Sequence, residues 1–467
     1  MSAGEENFEA GTAEIASLDT IAAISTPAGR GGIGIVRLSG PESVSIAAQM
    51  VRLRAPLEPG RARLAEVLDP EAPGGVIDEA VVTYFQAPHS YTSDDSVEIA
   101  AHGSSVVLNM LLREAIGLGA RLAEPGEFTQ RAFLSGKLDL TQAEAVRDLI
   151  DAQTVAQARL AASQMGGALS RRVQPVKQAL LELIALLEAG IDFAEDDLSV
   201  AGDEEILRRI EGVRTPLVAL EASFAHGRVL HDGLTLAIVG RPNAGKSSVF
   251  NALVERDRAI VTPIAGTTRD TVTERISLGG IPLELVDTAG LREAADEVER
   301  LGIARSREAI ADAAIVLLVV DATEPLHEED VRLMQSLRGR SALVARNKVD
   351  LIGEPAVAGA LPEGIAAIAT SALTGAGIGD LRAAILALAT GGAAAEPGML
   401  TNLRQHKAVA TALEGLADAE AAVAGGIPHE MLLLDMYRSL WALDALTGQT
   451  TPDDVLNLIF STFCIGK

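Results

Sequence analysis

The sequence predicts a multidomain protein of mixed α/β and α class, with an N-terminal α+β domain and a helical bundle domain that carries an inserted, doubly wound α/β domain. Three observations predict this class. The chain has 467 residues, more than one hydrophobic core usually serves, which favours about three domains. Its pattern changes from short strands to helices near residue 127, and to alternating strands and helices near residue 231. The helical pattern returns after about residue 391.

The predicted domain boundaries follow those changes. They are a loose, flexible tail at 1–17, the N-terminal α+β domain at 18–135, the first part of the helical domain at 136–229, the inserted domain at 230–390 and the second helical part at 391–467. An insertion is tolerated because the ends of a compact domain often lie close together.

Each region has its own residue pattern. In the N-terminal domain, β-rich runs such as Ile33 to Leu38 and Val81 to Phe85 are separated by Gly and Pro turns. In the helical domain, apolar residues recur at helical spacing, as in Leu180 to Leu187. In the inserted domain, short apolar strands alternate with helices, which is typical of a parallel sheet.

Composition excludes several classes of protein. Hydrophobic residues make up 48% of the chain and charged residues 22%, which is ordinary for a folded globular protein. Cys464 is the only cysteine, so no intrachain disulfide is expected. The same observation predicts a reducing, cytoplasmic location. No apolar run is long enough for a membrane span, and no signal sequence is recognisable. The net charge of −25 opposes broad coating of nucleic acid, so an RNA contact must be local or shared with a basic partner.

The inserted domain opens with a phosphate-binding motif. A strand pattern, Leu234 to Val239, leads into Gly-Arg-Pro-Asn-Ala-Gly-Lys-Ser at 240–247, and a helical stretch follows. In such a loop the backbone N–H groups wrap a β-phosphate, Lys246 neutralises the β/γ oxygens and Ser247 offers a hydroxyl to Mg²⁺. A glycine-rich turn that binds nothing is the alternative, and the flanking strand and helix argue against it.

Three further motifs follow in the order found in GTPases. Asp287-Thr-Ala-Gly290 ends a strand, where its aspartate can reach Mg²⁺ through water and its glycine amide can sense a γ-phosphate. Asn347-Lys-Val-Asp350 ends another strand, and the Asp350 carboxylate can accept both N–H groups of the guanine edge, a pair that adenine lacks. Ser371-Ala372 resembles the short loop behind the guanine O6. The sequence therefore predicts a Ras-like P-loop domain that binds GTP.

The loop after the P-loop helix is the expected place of switch I. It contains Thr262 to Thr268, and Thr268 is predicted to be the second hydroxyl on Mg²⁺ after Ser247. The predicted GTP-binding residues are Asn243, Ala244, Gly245, Lys246, Ser247, Ser248, Thr262, Pro263, Ile264, Ala265, Gly266, Thr267, Thr268, Asp287, Thr288, Ala289, Gly290, Asn347, Lys348, Asp350, Ser371, Ala372 and Leu373.

Hydrolysis also needs a group that orients the attacking water. In Ras-like enzymes a glutamine after the Asp-x-x-Gly motif does this, and an arginine finger stabilises the developing charge. Here that position holds Leu291, whose side chain cannot orient water. Either the domain hydrolyses GTP slowly or other groups supply both functions.

Matching segments outside the inserted domain make one resemblance specific. The chain resembles the MnmE (TrmE) family of tRNA-modification GTPases, within the TrmE/Era-like P-loop GTPase superfamily, along nearly its entire length. The matching segments outside the inserted domain are Ile21 to Arg37, Glu124 to Phe133, Gly136 to Val146 and Phe463 to Lys467.

The resemblance implies potassium-dependent catalysis. A potassium ion would replace the arginine finger when two GTPase domains dimerise face to face. Its implied ligands are Asn243 and the backbone oxygens around Thr262, Ile264 and Thr267. An arginine finger is worth about 10³ to 10⁵ in rate, and a fixed cation beside the β–γ bridge can do the same work. The resemblance also implies Glu299 as the catalytic, water-orienting acid, although the residues alone favour a solvated acid on a helix.

In the N-terminal domain the residues alone indicate no catalytic set, because structural ion pairs explain Arg37, Glu98, His102 and Lys137 equally well. The resemblance implies a folate site formed by Arg37, Glu98, Lys137 and Lys467. The ligand would be a tetrahydrofolate derivative, 5-formyl- or 5,10-methylene-tetrahydrofolate, acting as the one-carbon donor. Ser90-Tyr-Thr-Ser-Asp-Asp95 departs from the family's SYTGED by replacing a glycine and shortening an acid.

The family's partners complete the expectation. The resemblance implies a homodimer that works with the flavoprotein MnmG (also called GidA) to add a carboxymethylaminomethyl or aminomethyl group at carbon 5 of the wobble uridine of certain tRNAs. GTP hydrolysis would open and close the paired GTPase domains and so gate the modification site.

The role of Cys464 has three alternatives. A buried thiol is the commoner role of a lone cysteine. Lipidation is rejected because Gly466 and Lys467 fit a prenylation motif poorly, and a catalytic role of Cys464 stays open.

Two other functions stay open at this stage. A non-enzymatic GTPase switch in ribosome assembly or signalling would usually carry a basic RNA-binding module, and the sequence contains neither a basic KH-like motif nor a Lys/Arg-rich tail. A folate-dependent aminomethyltransferase with an incidental GTPase would have to convert its substrate without GTP.

Overall fold

The chain divides into two compact units. The computed structural model describes residues 19–192, 202–254, 272–287, 313–352, 365–392, 396–449 and 453–466. One unit comprises Met1–Arg147, Met165–Ser170 and Asp444–Lys467, and the other comprises Asp148–Gln164 and Arg171–Leu443. The tail predicted at 1–17 lies outside the described residues.

The described helices and strands are numbered here in chain order. The strands are β1 (Ile21–Ile24), β2 (Gly31–Ser39), β3 (Val51–Leu53), β4 (Ala62–Leu68), β5 (Val76–Phe85), β6 (Ser96–Gly103), β7 (Arg121–Leu122), β8 (Leu234–Val239), β9 (Val272–Leu278), β10 (Ile281–Asp287), β11 (Ile315–Asp321), β12 (Ala342–Asn347) and β13 (Ala366–Ala369). The helices are α1 (Ser43–Met50), α2 (Ser105–Gly117), α3 (Glu127–Leu134), α4 (Leu140–Asp151), α5 (Val155–Met165), α6 (Ala168–Asp192), α7 (Asp203–Ala222), α8 (Phe224–Asp232), α9 (Lys246–Val254), α10 (Glu328–Ser336), α11 (Ile378–Thr390), α12 (Leu403–Ala424), α13 (His429–Thr447) and α14 (Asp453–Ser461).

The first unit is built on a seven-stranded sheet of order β3-β4-β5-β6-β2-β1-β7. Its neighbours pair antiparallel, except that β1 and β7 run parallel. Along β2, Val36 and Leu38 are fully buried and pack in the core that α1 and α2 also line. Because side chains alternate across a strand, Arg37 between them lies on the opposite face.

Helices α3, α4 and α14 also contribute to the first unit. Leu140 of α4 packs with Phe460 of α14 and with Phe463 in one buried cluster. Arg131 of α3 is nearly buried and donates to both Asp19 and Glu127. A buried guanidinium needs such partners, because an unpaired buried charge is costly. The segment that follows α14 thus belongs to the same unit as the N-terminal sheet.

The second unit combines long helices with a second sheet. Among the helices, α7 packs against α12, and α12 crosses α13 closely at Gly415. A Cβ at position 415 would collide with Ser439, whose hydroxyl donates to the Ala412 carbonyl at 2.9 Å. No helix in the described ranges is both long and apolar enough to cross a bilayer.

The second sheet has the order β13-β12-β11-β8-β10-β9. Strands β8, β10, β11, β12 and β13 are parallel, and β9 pairs antiparallel with β10 at the edge. Apolar residues cover both faces in two clusters, because a parallel sheet is packed on both sides. This confirms the predicted architecture of an N-terminal α+β domain, a helical domain and a doubly wound P-loop domain.

Candidate functional site

The candidate site lies at the carboxyl edge of the second sheet. The chain crosses from one half of the sheet to the other at β8, whose neighbours are β10 and β11. In open α/β sheets, ligands bind outside the carboxyl ends of the strands at such a reversal. The loop that begins at Gly240 leaves β8 at this point and leads into α9. The strand order therefore positions the glycine-rich motif.

Two glycines allow the P-loop to take its shape. Gly240 has φ +144° and Gly245 has φ +94°, values in the region that favours glycine. A Cβ at Gly240 would collide with the Val319 carbonyl of β11, and one at Gly245 with the Asn347 amide. Asn243 also has a positive φ, +65°, and is exposed. The loop is thus packed closely against the neighbouring strands.

Lys246 opens helix α9 and is nearly buried. Its ammonium group donates to the carbonyls of Gly240 and Arg241, each at 2.8 Å. The charge is therefore held inside the curve of the P-loop, where it can neutralise phosphate oxygens. Ser247 follows it and is exposed in the first turn of α9.

Asn347 connects three of the predicted motifs. It ends β12, is 2% exposed, and its amide donates to the Ala244 carbonyl of the P-loop at 3.1 Å. Its side-chain oxygen accepts from the Ala372 N–H at 3.0 Å. One buried side chain thus joins the P-loop, β12 and the Ser371–Ala372 loop. Ser371 steadies its own loop by accepting from the Thr374 N–H at 3.1 Å.

The next two motif residues differ in their environment. The Lys348 ammonium lies 2.6 Å from a carboxylate oxygen of Asp321 at the end of β11. Burial opposes ionisation of Asp321, but hydrogen bonds from Lys348 and Thr323 outweigh it and keep its pKa below the ordinary value. Asp350 is exposed and pairs with no other described residue. Its carboxylate is available to a ligand at this edge.

The described residues also suit a bound Mg²⁺ ion. No group of three or more His, Cys, Asp or Glu that could hold a metal occurs in the described ranges. An ion on Ser247 would not need one, because phosphate oxygens, water and a second hydroxyl complete a nucleotide-bound Mg²⁺.

Several predicted site residues lie outside the described residues. They include the switch I segment with Thr262, Ile264, Thr267 and Thr268, the motif residues Thr288, Ala289 and Gly290, and Glu299. Strand β9 begins at Val272, after the switch I segment in the sequence. Strand β10 ends at Asp287, the first residue of the Asp-x-x-Gly motif.

A second cluster of predicted residues lies in the first unit. Arg37 of β2 is directly opposite Glu98 of β6, and their side chains pair at 2.8 Å. The guanidinium carbon lies 5.7 Å from the Tyr91 ring centroid and 5.5 Å from that of Phe128, within the range of a cation–π contact. Arg37 also donates to the Gly466 carbonyl at 3.5 Å. The structure therefore brings Arg37, Glu98 and the C-terminal segment together.

The same unit holds Lys137 and Ser90 in contact. The Lys137 ammonium donates to the Ser90 carbonyl, and the Ser90 hydroxyl is buried with no partner among the described residues. Cations, a carboxylate, aromatic faces and an unsatisfied hydroxyl are groups that bind a polar heteroaromatic ligand such as a folate. Lys467 lies outside the described residues.

Two further residues can now be placed. The Nδ1 atom of His102 lies 2.6 Å from a carboxylate oxygen of Asp78 and the ring is largely exposed, a structural contact of the kind that the residues alone suggested. Cys464 is exposed rather than buried, so the commoner role of a lone cysteine as a core thiol is not its role here. Its backbone carbonyl accepts from the Gly126 N–H at 3.4 Å.

The opposite edge of the second sheet carries a junction with the helices. At the start of α5, the Thr154 hydroxyl donates to the Gly280 carbonyl in the β9–β10 turn at 2.7 Å. The Gln157 amide donates to the His231 carbonyl at 2.7 Å, just before β8 begins. His231 itself pairs with Asp148 at 3.0 Å. We refer to these contacts as the α5 junction.

Sequence reasoning missed three polar residues near the P-loop. Asp321 follows six apolar residues at the end of β11 and pairs with Lys348. An acid directly after such an apolar run is a signal that the sequence itself contains. Arg241 and Asp330 pair at 3.0 Å although 89 residues separate them. No local pattern predicts that second contact, because it depends on how α10 packs.

A parallel sheet in this order, with a P-loop at its reversal and an Asn-Lys-x-Asp loop beside it, defines the class of P-loop GTPase domains. Two family models match: the MnmE helical domain over residues 140–464 and the GTP-binding protein TrmE N-terminus over residues 20–137. The chain therefore belongs to the MnmE family of tRNA modification GTPases.

Similar proteins agree with this assignment. The tRNA modification GTPase MnmE of Koribacter versatilis is 58% identical over 454 residues, covering 96% of this chain and 99% of that protein. The protein of that name from Aquifex aeolicus is 40% identical, covering 96% and 100%. Among solved structures, a variant of Aquifex aeolicus Era bound to GDP.AlF4- is 27% identical, covers 39% of this chain and 66% of that chain, and aligns with a TM-score of 0.28. The predicted family is confirmed.

Proposed function

We propose that this protein hydrolyses GTP in a potassium-dependent reaction and uses the GTPase cycle to modify carbon 5 of the wobble uridine in certain tRNAs. The observation that carries the proposal is the position of Asn347, which ties the P-loop to the Ser371–Ala372 loop beside the exposed Asp350. Family membership supplies the link to tRNA modification.

Selection of guanine follows from the Asp350 carboxylate. It accepts two N–H groups from the guanine edge, and the Ala372 region backs the base. Adenine offers no such donor pair and would leave the carboxylate unsatisfied, which is the strongest form of discrimination that a polar site achieves. Buried Asn347 holds the Ser371–Ala372 loop and the P-loop at a fixed distance from each other, so the base and the phosphates of one nucleotide are bound together.

Phosphate binding falls to the P-loop and the start of α9. The Lys246 ammonium exchanges its contacts with the Gly240 and Arg241 carbonyls for the β- and γ-phosphate oxygens. Ser247 and Thr268 would hold Mg²⁺ through their hydroxyls, and the bound ion would supply positive charge that neutralises the phosphate oxygens.

Asn243 is the proposed side-chain ligand of potassium. It is exposed on the P-loop with a left-handed backbone, so its amide oxygen is available at the phosphate edge. Backbone oxygens of Thr262, Ile264 and Thr267 would complete the shell. The bound cation supplies the positive charge that an arginine finger supplies elsewhere. Because Leu291 cannot orient water, Glu299 is the proposed group for that role.

The N-terminal cluster is the proposed folate site. Arg37, Glu98 and Lys137 bind and orient a tetrahydrofolate derivative, either the 5-formyl or the 5,10-methylene form, with Lys467 at the end of the chain. The paired Arg37 and Glu98, the flanking aromatic rings and the unsatisfied Ser90 hydroxyl support it. The folate supplies the one-carbon unit when bound.

The remaining part of the proposal concerns partners. A homodimer that pairs two GTPase domains face to face would bring the potassium site into its active form. A flavoprotein, MnmG, would act on the tRNA together with this chain. The net charge of −25 suits a division of work in which the partner makes most of the tRNA contacts. A cytoplasmic location follows from this proposal.

The decisive experiment compares GTP hydrolysis in KCl and in NaCl at equal ionic strength, with light scattering in the presence of a transition-state mimic. We expect strong stimulation and dimerisation in KCl only. Asn243→Ala should lose the potassium stimulation while keeping GTP binding. Asn109→Ala, at an exposed asparagine of α2, is the matched control and should behave as wild type. Equal slow rates in both salts would contradict the potassium mechanism and favour a GTPase switch that is not an enzyme.

A second experiment separates the remaining alternative. Modification of tRNA by this protein and its flavoprotein partner is measured with GTP and with a non-hydrolysable analogue. We expect modification to stop with the analogue. Full modification with the analogue would instead support a folate-dependent aminomethyltransferase with an incidental GTPase.

A further inference from the structure

The second residue of the P-loop is tied to a helix that carries none of the nucleotide motifs. Arg241 donates through Nε to Asp330 at 3.0 Å and through a terminal nitrogen to Glu324 at 3.3 Å. Asp330 lies in the first turn of α10 and is 2% exposed, whereas the Glu324 side chain is 53% exposed. The buried contact is therefore the one that can hold Arg241 firmly.

A simpler role for Asp330 is to cap its own helix. The same carboxylate oxygen accepts from the His327 N–H at 3.1 Å, which satisfies a free donor at the start of α10. A cap alone does not require the carboxylate to be buried, and exposed caps are common. Here the second oxygen is buried without a partner among the described residues. An ionised group with one unsatisfied oxygen is costly to bury, so its ion pair with Arg241 has to be maintained.

The Asp330–Arg241 pair acts on Asn243 through the one residue between Arg241 and Asn243, a proline. Pro242 separates the two residues, and its ring fixes φ near −65°. Asn243 then takes φ +65°, an uncommon conformation for a residue other than glycine. Such a conformation persists only when its surroundings hold it: Asn347 holds the Ala244 carbonyl on one side of Asn243, and Asp330 holds Arg241 on the other. The Asp330–Arg241 pair is thus in a position to set where the Asn243 amide lies.

We propose that Asp330 and Arg241 are positioning residues that hold the P-loop in its phosphate-binding shape and place the Asn243 amide oxygen for the monovalent cation. Both act through the P-loop backbone, since the contacts of Arg241 run to Asp330 and Glu324. The cation part of this inference rests on the proposed potassium-dependent function; the P-loop part does not.

The test uses the full-length protein with Asp330→Asn, which keeps an oxygen for the helix cap but removes the charge that holds Arg241. Two quantities are measured: the release rate of the fluorescent nucleotide mant-GDP, and the KCl concentration that gives half of the maximal GTPase stimulation. Both should rise about tenfold, the usual range for losing a second-layer partner of a ligand. Glu324→Gln is the matched control, because it removes only the exposed partner of Arg241, and it should stay within about twofold of wild type.

The outcomes separate the two ideas. Values within about twofold of wild type for a folded Asp330→Asn protein would overturn the inference. If that variant fails to fold, Arg241→Gln tests the same pair from its less buried side, with the same expected changes. If wild type shows no preference for potassium, the proposed function fails, and mant-GDP release alone then decides whether the pair positions the P-loop.

Discussion

The two ends of strands β8 and β10 differ in how their residues are brought together. At the carboxyl ends, the P-loop and the Asp-x-x-Gly motif are short segments that follow directly from the strands. At the amino ends, the α5 junction joins Thr154 to Gly280 and Asp148 to His231, residues that lie far apart in the chain. The same strands therefore carry a site whose chemistry is local and a joint whose chemistry is tertiary.

The two edges of the sheet have different roles: the carboxyl edge serves ligand binding, and the amino edge serves stability. Groups at the carboxyl edge stay available to a ligand, as the exposed Asp350 and Asn243 do. Groups at the amino edge satisfy one another: Thr154 donates to Gly280 and accepts from the Gln157 N–H at 3.1 Å, and Gln157 holds the chain at His231. We expect substitutions at the first edge to change nucleotide binding and those at the second to change stability.

The largest effect is expected from Asp350→Asn. The asparagine oxygen can still accept one guanine N–H, but without a full negative charge, and the asparagine NH2 faces the other guanine N–H, so about 4 kcal/mol is lost and affinity for mant-GDP should fall about 10³-fold. The asparagine amide can instead donate to the extra oxygen of xanthine, and a xanthine nucleotide should bind better than to wild type. Titration of both nucleotides by fluorescence measures this, and the thermal midpoint should not change. Unaltered guanine affinity would remove Asp350 from the site.

The pair of His231 and Asp148 should make stability depend on pH. The hydrogen bond to Asp148 raises the pKa of His231 from 6.5 to about 9, outweighing the opposing effect of burial, and Asp232 adds to the increase. The folded protein then holds this proton more tightly than the unfolded chain. The contribution, up to about 3 kcal/mol, is complete below pH 6.5 and is lost as the pH rises through about 9.

His231→Gln tests this by removing the titration while keeping a polar side chain. Unfolding of wild type and variant is followed from pH 6 to pH 10, and the difference between them should shrink as the pH rises. His89→Gln, at an exposed histidine of the other unit, is the control and should leave the wild-type profile unchanged. A constant difference across this range would show that His231 contributes through packing alone.

Gly280→Ala tests the tight packing of the α5 junction. The residue has φ +91°, and an added Cβ would lie 2.6 Å from the Ala156 Cβ. We expect a loss of about 2 kcal/mol in stability, measured by denaturant unfolding. Gly339→Ala is the matched control, because φ is +76° there and no atom lies within 4 Å of the added Cβ, so it reports the backbone cost alone.

The same variant can break the comparison between the two edges. If the edges are independent, Gly280→Ala changes the unfolding transition and leaves mant-GDP affinity as in wild type. A change in affinity at a temperature where the protein is folded would mean that strain passes along β10 to the nucleotide edge. Adding Ala156→Gly should then restore the affinity, because it removes the collision, while the backbone cost of alanine at position 280 remains in the stability.

The smallest effect is expected at the N-terminal cluster. Arg37→Ala removes one cation and leaves Glu98 unpaired, so affinity for 5-formyl-tetrahydrofolate should fall about tenfold, as for one hydrogen bond to a charged group. Calorimetric titration measures it, and GTP hydrolysis should not change. Arg52→Ala, at an exposed arginine of β3 paired with Glu66, is the control. Equal folate affinity in wild type, Arg37→Ala and Arg52→Ala would show that Arg37 is not part of the folate site.

The sequence by itself determined the class of the inserted domain and predicted most of the candidate nucleotide site. The chemistry of phosphate and guanine binding demands particular residues within a few positions of one another, as in the P-loop and in Asn347 to Asp350. The β-rich runs Ile33 to Leu38, Val81 to Phe85 and Val97 to Ala100, separated by Gly and Pro turns, predicted parts of the strands β2, β5 and β6. The family resemblance added the predicted ligands of potassium and folate, which no spacing in the chain indicates.

Tertiary structure alone decided which distant residues meet. Arg37, Glu98 and Gly466 come together because β2 pairs with β6 and the C-terminal segment joins the same unit. Arg241 reaches Asp330 across 89 residues, and His231 of α8 reaches Asp148 of α4, so no local pattern records either pair. Such contacts depend on the packing of whole elements, which is decided by burial summed over many side chains and not by any single motif.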